Sequence, residues 1–283
     1  MIAILYALGC LVSTALNDFV FKLSSNIKIN SRGMFVSLVG IVWMLTTVFL
    51  PMNWHDHLGV TVASGLVTGF VSIVANLLLL EAMDRQSAGV CSTIFRLNLV
   101  GVVLISYFFL GESLGILQVV GIVFAVAAVL LFMPRVEKNQ AGRSARLGLI
   151  LVIIASLIRA GMTISIKMGV DNGGDKNAIN LLTCFFWVFG GLLYALWKER
   201  RISWPDRGTV CLGLISGVLV GAILYFMIAM NKYGKASVVT PIAQMSFLGT
   251  LLLSVVFLKE KIDRRKGIRL LFGMVALLCL CLK

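Results

Sequence analysis

The sequence predicts an all-α integral membrane protein whose ten transmembrane helices form two inverted five-helix repeats. Three observations carry that prediction. Hydrophobic residues make up 59% of the 283 and charged residues only 13%, with a mean hydropathy of +1.00. A soluble domain has roughly 25% charged residues, so this chain lacks the polar groups to cover a water-facing globule. The apolar residues run in stretches of about 20 instead of alternating over about ten, which selects helices over barrel strands. Finally, the second half of the chain repeats the first. The same composition excludes a disordered chain, and six Cys are too few for a disulfide scaffold.

The spans fall at 2–23, 33–51, 58–80, 88–110, 114–133, 147–169, 178–197, 208–230, 236–258 and 265–282. Short loops join them. Pro51, Pro134 and Pro205 lie at span ends or in loops, and Pro241 alone lies inside a span. The run from Ile2 past Val20 has no basic residue before it, so it reads as a first helix and not as a cleaved signal. The expected organisation is one membrane domain: a first repeat at 1–134, a basic linker at 135–146 and a second repeat at 147–283.

Of the 25 Lys and Arg, 17 fall in odd-numbered loops, four on the opposite side and four within spans. Cytoplasmic loops are enriched in Lys and Arg, so the odd loops are expected in the cytoplasm and both termini outside. The net charge of +13 is thereby a topology signal. Nucleic acid as a partner is excluded, because no folded basic patch exists to bind it. Short loops suit a bacterial inner (plasma) membrane.

A shift of 148 residues pairs Gly65 with Gly213, Gly69 with Gly217, Gly101 with Gly249, Ser106 with Ser254 and Glu112 with Glu260. Near the start of each half, a shift of 145 pairs Lys22 with Lys167, and one of 144 pairs Trp43 with Trp187. Five helices is an odd number, so the second unit inserts upside down. The charge agrees: the loop at 51–58 has no Lys or Arg, whereas its equivalent carries Lys198, Arg200, Arg201 and Arg207. Inverted repeats are the architecture of alternating-access carriers, with the site at the midplane between the halves.

Each unit also bears a short Glu-containing turn before its last helix, Leu-Gly-Glu at 110–112 and Leu-Lys-Glu at 258–260. In this the chain resembles the drug/metabolite transporter superfamily, and within it the EamA-like permeases. Gly121, nine residues after Glu112, extends the likeness; Arg269 stands at the corresponding place in the second unit, a departure. The resemblance covers essentially the whole chain through loose motifs. It implies ten helices, movement of small metabolites and no nucleotide cofactor. It also implies both termini in the cytoplasm, the opposite of the charge count, which sets the orientation expected here.

An ionisable group near the bilayer centre costs about 2.5–3.5 kcal/mol on insertion scales, so each needs a partner or a purpose. Thr14, Asp18 and Lys22 are four apart and share one helix face. The repeat maps them onto Arg159, Thr163 and Lys167, with Ser156 on the same face. Lys22 and Lys167 lie near span ends, where they can snorkel, Lys22 pairing with Asp18 at i,i+4. Arg159 lies near mid-span and either lines a cavity or pairs with Asp18 or backbone carbonyls. Arg96 and Asn98 map onto Gln244 and Ser246, beside Pro241, whose missing donor suits a helix that bends at a site. Arg96 either meets substrate or pairs with Glu81 or Asp84. Asn17 and Asn76 either line the site or hold helices together. The candidate substrate-binding set is therefore Arg96, Arg159, Asp18, Asn98, Gln244, Asn17, Thr163 and Asn76.

Glu112 and Glu260 read as helix-end residues, and His55 and His57 as members of a solvated loop. No Cys has zinc-ligand spacing, so no metal is expected. There is no His in any span, no nucleophile elbow and no phosphate-cradling loop, which argues against an enzyme. No cofactor is expected; a coupling proton or ion at Asp18 stays open. Two deep arginines against one deep acid favour an anionic or zwitterionic solute, because the planar guanidinium engages two oxygens at once. The expected function is secondary active transport of a small polar metabolite by alternating access. The alternatives are a flippase for a lipid phosphate or lipid-linked head group and, more remotely, a channel or structural membrane subunit. Small-molecule substrate and lipid bilayer are the expected partners, and monomer and homodimer both fit.

Overall fold

The computed structural model describes residues 2–26, 31–52, 57–110, 115–132, 140–200, 204–233, 239, 242–259 and 264–281. They form α1 (Ile2–Asn26), α2 (Arg32–Val48), α3 (Leu58–Met83), α4 (Ala88–Arg96), α5 (Asn98–Leu110), α6 (Ile116–Phe132), α7 (Gln140–Asp171), α8 (Lys176–Lys198), α9 (Arg207–Tyr233), α10 (Ser246–Leu258) and α11 (Arg264–Cys281). Among the described residues, six spans are long and apolar enough to cross a membrane, and four shorter apolar helices bring the total to ten. Side-chain caps set several starts. Ser31 accepts from the Met34 N–H at 3.1 Å, and Asp175 accepts from the Ala178 N–H at 2.7 Å.

The expected spans differ from the helices in three places. The span at 88–110 is broken into α4 and α5 at Leu97, and the span at 236–258 is broken at Met245. The two breaks are 148 residues apart, the period of the repeat, and nearly identical: φ −70, ψ 4 at Leu97 and φ −70, ψ 3 at Met245. In each, tightened three-residue bonds replace the α-helical ladder, Leu97 N–H to Ile94 O and Met245 N–H to Ile242 O. Third, α7 begins at Gln140, inside the basic segment 135–146. Pro241, Glu112, Glu260 and His55 lie outside the described residues.

The relation between the repeats can be read from α2 and α8, which the 144-residue shift makes equivalent. A Cβ added at Gly33 would lie 2.6 Å from the Ala195 amide nitrogen, and one at Gly40 would lie 2.8 Å from that of Val188. As α2 ascends, its contacts on α8 descend, so the two helices run antiparallel and touch almost backbone to backbone. The equivalent helices α6 and α11 do the same: Gly121 packs on Leu280 and Phe124 on Phe272. Equivalent helices that meet antiparallel are related by a two-fold axis across them, in the plane of the membrane. Trp43 and Trp187 meet edge to face at 5.6 Å on that axis.

The repeats are interleaved. In one bundle α1 packs along α9 and α10; in its counterpart α7 packs along α3 and α5. Paired close approaches fasten both: Gly249 against the Ala15 methyl and Gly101 against the Ala160 methyl, where an added Cβ would sit 2.7 and 2.6 Å away. Outward-facing Leu5, Val12, Phe70, Val123, Leu193 and Leu252 are exposed, as a bilayer-facing surface requires.

A charged centre beside two broken helices

Asp18, on α1, and Arg96, the last residue of α4, form a buried ion pair, with Arg96 Nη2 3.0 Å from Asp18 Oδ2 and side-chain exposures of 8% and 11%. Arg96 sits about 12 Å along α4 from Ala88, at 1.5 Å per residue. The Thr250 hydroxyl of α10 donates to the same Asp18 oxygen at 3.4 Å. Arg159, on α7, lays its guanidinium over the Phe95 ring, 4.8 Å from the centroid, and feels the charges of both Arg96 and Asp18. Arg159 makes no ion pair among the described residues. Two cations and one anion thus share the centre, with Asp18 and Arg96 nearly buried and Arg159 partly so, leaving a net charge of about +1, an arrangement that favours an added anion.

Two orphaned donors sharpen that imbalance. The Arg96 Nε–H and the Ser246 hydroxyl are buried and have no hydrogen-bond partner among the described residues. Such a group costs about 1–3 kcal/mol unless something accepts from it. Ser246 opens α10, and Asn98, also buried, opens α5 at the equivalent place. Half-helices that start at a site turn their positive ends toward it, which again favours negative charge.

The structure brings Arg96, Arg159 and Asp18 together, as the sequence suggested, but corrects their weighed partners. Arg96 turns away from Glu81 and Asp84, which instead take Arg32, Arg85 and Lys198. Lys22 does not pair with Asp18: its ammonium donates to the backbone carbonyls of Met83, the last residue of α3, and Gln86, in the turn that follows it. Asn98 stands at the break, and the half-exposed Gln244 one residue before the other break. The remaining candidates do other work. Asn17 accepts from the Ser216 hydroxyl at 2.6 Å, joining α1 to α9. Asn76 donates back to the Ser72 carbonyl of its own helix. Thr163 is exposed, its hydroxyl 3.4 Å from the Arg159 carbonyl. Sequence reasoning missed Thr250 and Phe95; Thr250 lies one turn beyond Ser246, a helical spacing that could have flagged it.

No group of three or more His, Cys, Asp or Glu that could hold a metal occurs among the described residues.

Fold and centre together define a multi-pass membrane protein made of two five-helix repeats around a buried charge cluster. The EamA-like transporter family model matches the chain twice, at residues 1–133 and 146–282, and the chain belongs to that family. It is a membrane transporter and not an enzyme. No curated protein matches the chain. A solved structure titled only as the crystal structure of a protein is similar over 98% of this chain and 94% of its own, with TM-score 0.64. At 14% identity that likeness concerns the fold alone.

Proposed function

We propose that this transporter is a secondary carrier of a small organic anion or zwitterion, bound between Arg96 and Arg159 at the two helix breaks. The observation that carries this reading is the buried Arg96 Nε–H, unpartnered among the described residues, in a centre whose charges do not cancel. A carboxylate or phosphate oxygen would satisfy that donor, and Arg159 would engage a second oxygen. Asp18 then either releases Arg96 to the ligand or receives a ligand ammonium. The bundles α1–α9–α10 and α3–α5–α7 rock about the axis through α2 and α8, exposing the site to each face in turn. The Lys- and Arg-rich end faces the cytoplasm on the charge bias.

The test has two stages. A thermal-stability screen of the purified protein against carboxylates, phosphate esters, amino acids and matched cations identifies the ligand class. The best ligand is then loaded into proteoliposomes and counterflow exchange is measured. Exchange by wild type, lost in Arg96→Ala and Arg159→Ala at undiminished expression, is the expected result. Flux without counterflow would mean a pore. Head-group exposure of a labelled lipid without solute exchange would mean a flippase.

A further inference from the structure

We infer that the Ser246 hydroxyl is a further donor to the transported anion, bonding an oxygen of the same group that Arg96 Nε–H holds; the inference rests on the anion reading above and adds a binding residue to it. Ser246 differs from its neighbours. A serine or threonine inside a helix ordinarily bonds back to a carbonyl three or four residues earlier. Every other hydroxyl on α4 and α10 does so. Ser92 and Thr93 donate to the Gly89 carbonyl at 3.3 and 2.6 Å, Thr250 to that of Ser246 at 3.2 Å, and Ser254 to that of Thr250 at 2.8 Å. Ser246, at 0% exposure, has no such bond among the described residues. The helix break supplies the reason. One turn back stands Ile242, and its carbonyl accepts the Met245 N–H at 3.1 Å in the tightened geometry of the break.

Helix directions set Ser246 beside the charged centre. α10 runs parallel to α1, since Gly249 meets Ala15 and Phe257 meets Phe19. α1 runs toward Lys22, which bonds the end of α3, and α4 begins there after a short turn. The helix α10 therefore ends where α4 begins, and the two run antiparallel, with Gly89 packed on Leu251. From Leu251 back to Ser246 is five residues, about 7.5 Å at 1.5 Å per residue. That step reaches the level of Ile94, two residues short of Arg96. Thr250, one turn beyond Ser246, already donates to Asp18, the partner of Arg96. Two buried donors, one charged and one neutral, thus lie at one level of a single helix pair, each without an acceptor among the described residues. A carboxylate or phosphate group has an oxygen for each. Such a hydroxyl destabilises the empty carrier and stabilises the loaded one, so removing it should separate folding from binding.

Melting temperatures of the full chain in detergent, without ligand and with pyruvate, succinate, glutamate or glycerol phosphate, test this. Ser246→Ala should melt no lower than wild type when empty, yet bind the stabilising anion about tenfold more weakly. In counterflow the half-saturating concentration should rise by the same factor, while the maximal rate stays within about twofold. Ser246→Cys keeps a weak donor and should fall between the two. Ser254→Ala, which removes a satisfied hydroxyl, should do the reverse: melt lower when empty and bind the anion as wild type does. A Ser246→Ala protein that melts clearly lower than wild type when empty, or does not fold, marks a structural hydroxyl and overturns the assignment. Anions that stabilise wild type and Ser246→Ala equally refute the role of Ser246 alone. No anion response in wild type refutes the anion site itself, and this role with it.

Discussion

The two ends of this molecule are built from equivalent helices and fastened by different chemistry. At the end holding the start of α2 and the ends of α3 and α8, Glu81 accepts from Arg85 at 2.9 Å, from Lys198 at 2.6 Å and from the Tyr194 hydroxyl, and Arg32 pairs with Asp84. Glu199 caps α2, taking the Arg32 and Gly33 N–H groups and the Ser31 hydroxyl. At the other end, among the described residues, Tyr6 stacks on Tyr233 at 5.8 Å and leans on Tyr225 and Phe226, and Asn177 donates to the Pro51 carbonyl. The repeat explains the contrast. Its 148-residue shift puts Ala229, Lys232 and Tyr233 where the first half has Glu81, Asp84 and Arg85. A two-fold fold therefore need not be two-fold in energy: among the described residues, one end is fastened by long polar side chains and the other by aromatic contact.

The comparison can be broken at graded cost. The largest stability loss is expected at the centre that both ends share. Asp18→Ala strands Arg96 in a buried site and should cost about 3–5 kcal/mol, read as a large fall in melting temperature in detergent, whereas Asp18→Ala with Arg96→Met should recover most of it. Next comes the charged end, where Glu81→Gln removes the negative charge and one of the two oxygens that Arg85, Lys198 and Tyr194 share, and should cost about 2 kcal/mol. At the aromatic end Tyr6→Leu keeps most of the apolar area, so the loss should be about 1 kcal/mol in the same assay. The smallest effect belongs to Arg32 and Asp84, whose side chains are 31% and 17% exposed. Disrupting that pair alone with Asp84→Asn should cost at most about 1 kcal/mol, and 1 M salt should mimic much of it. Equal losses at Glu81 and Tyr6, or a salt effect centred on Asp18, would erase the distinction.

How much of this was legible in the residues depends on the range over which each feature is determined. The helices and their duplication were readable because the bilayer demands long apolar runs, and because close packing keeps glycine at matched places such as Gly101 and Gly249. The centre was readable in part. A charge inside an apolar span is costly wherever it points, which singled out Asp18, Arg96 and Arg159. Partners were harder to read. The i,i+4 rule offered Asp18 to Lys22, but Lys22 found carbonyls about sixty residues away, and no local pattern encodes that choice. The break at Leu97 was invisible for the same reason: Arg96-Leu97-Asn98 contains neither Gly nor Pro, and the turn is set by tertiary packing. Thr163 fitted a polar stripe and Asn76 was an isolated amide within a span, yet both bond to their own helix backbones, as such residues commonly do in spans.

The central claim is that the imbalance of charge at Arg96 and Arg159 awaits an anion, and ligand-induced stabilisation measures that most directly. The wild-type melting temperature should rise with one or more small carboxylates or phosphate esters, by an amount corresponding to about 2.7 kcal/mol at one hundred times Kd, and that rise should vanish in both Arg96→Ala and Arg159→Ala. Stabilisation by cations alone, or by anions equally in wild type and both variants, would contradict the account.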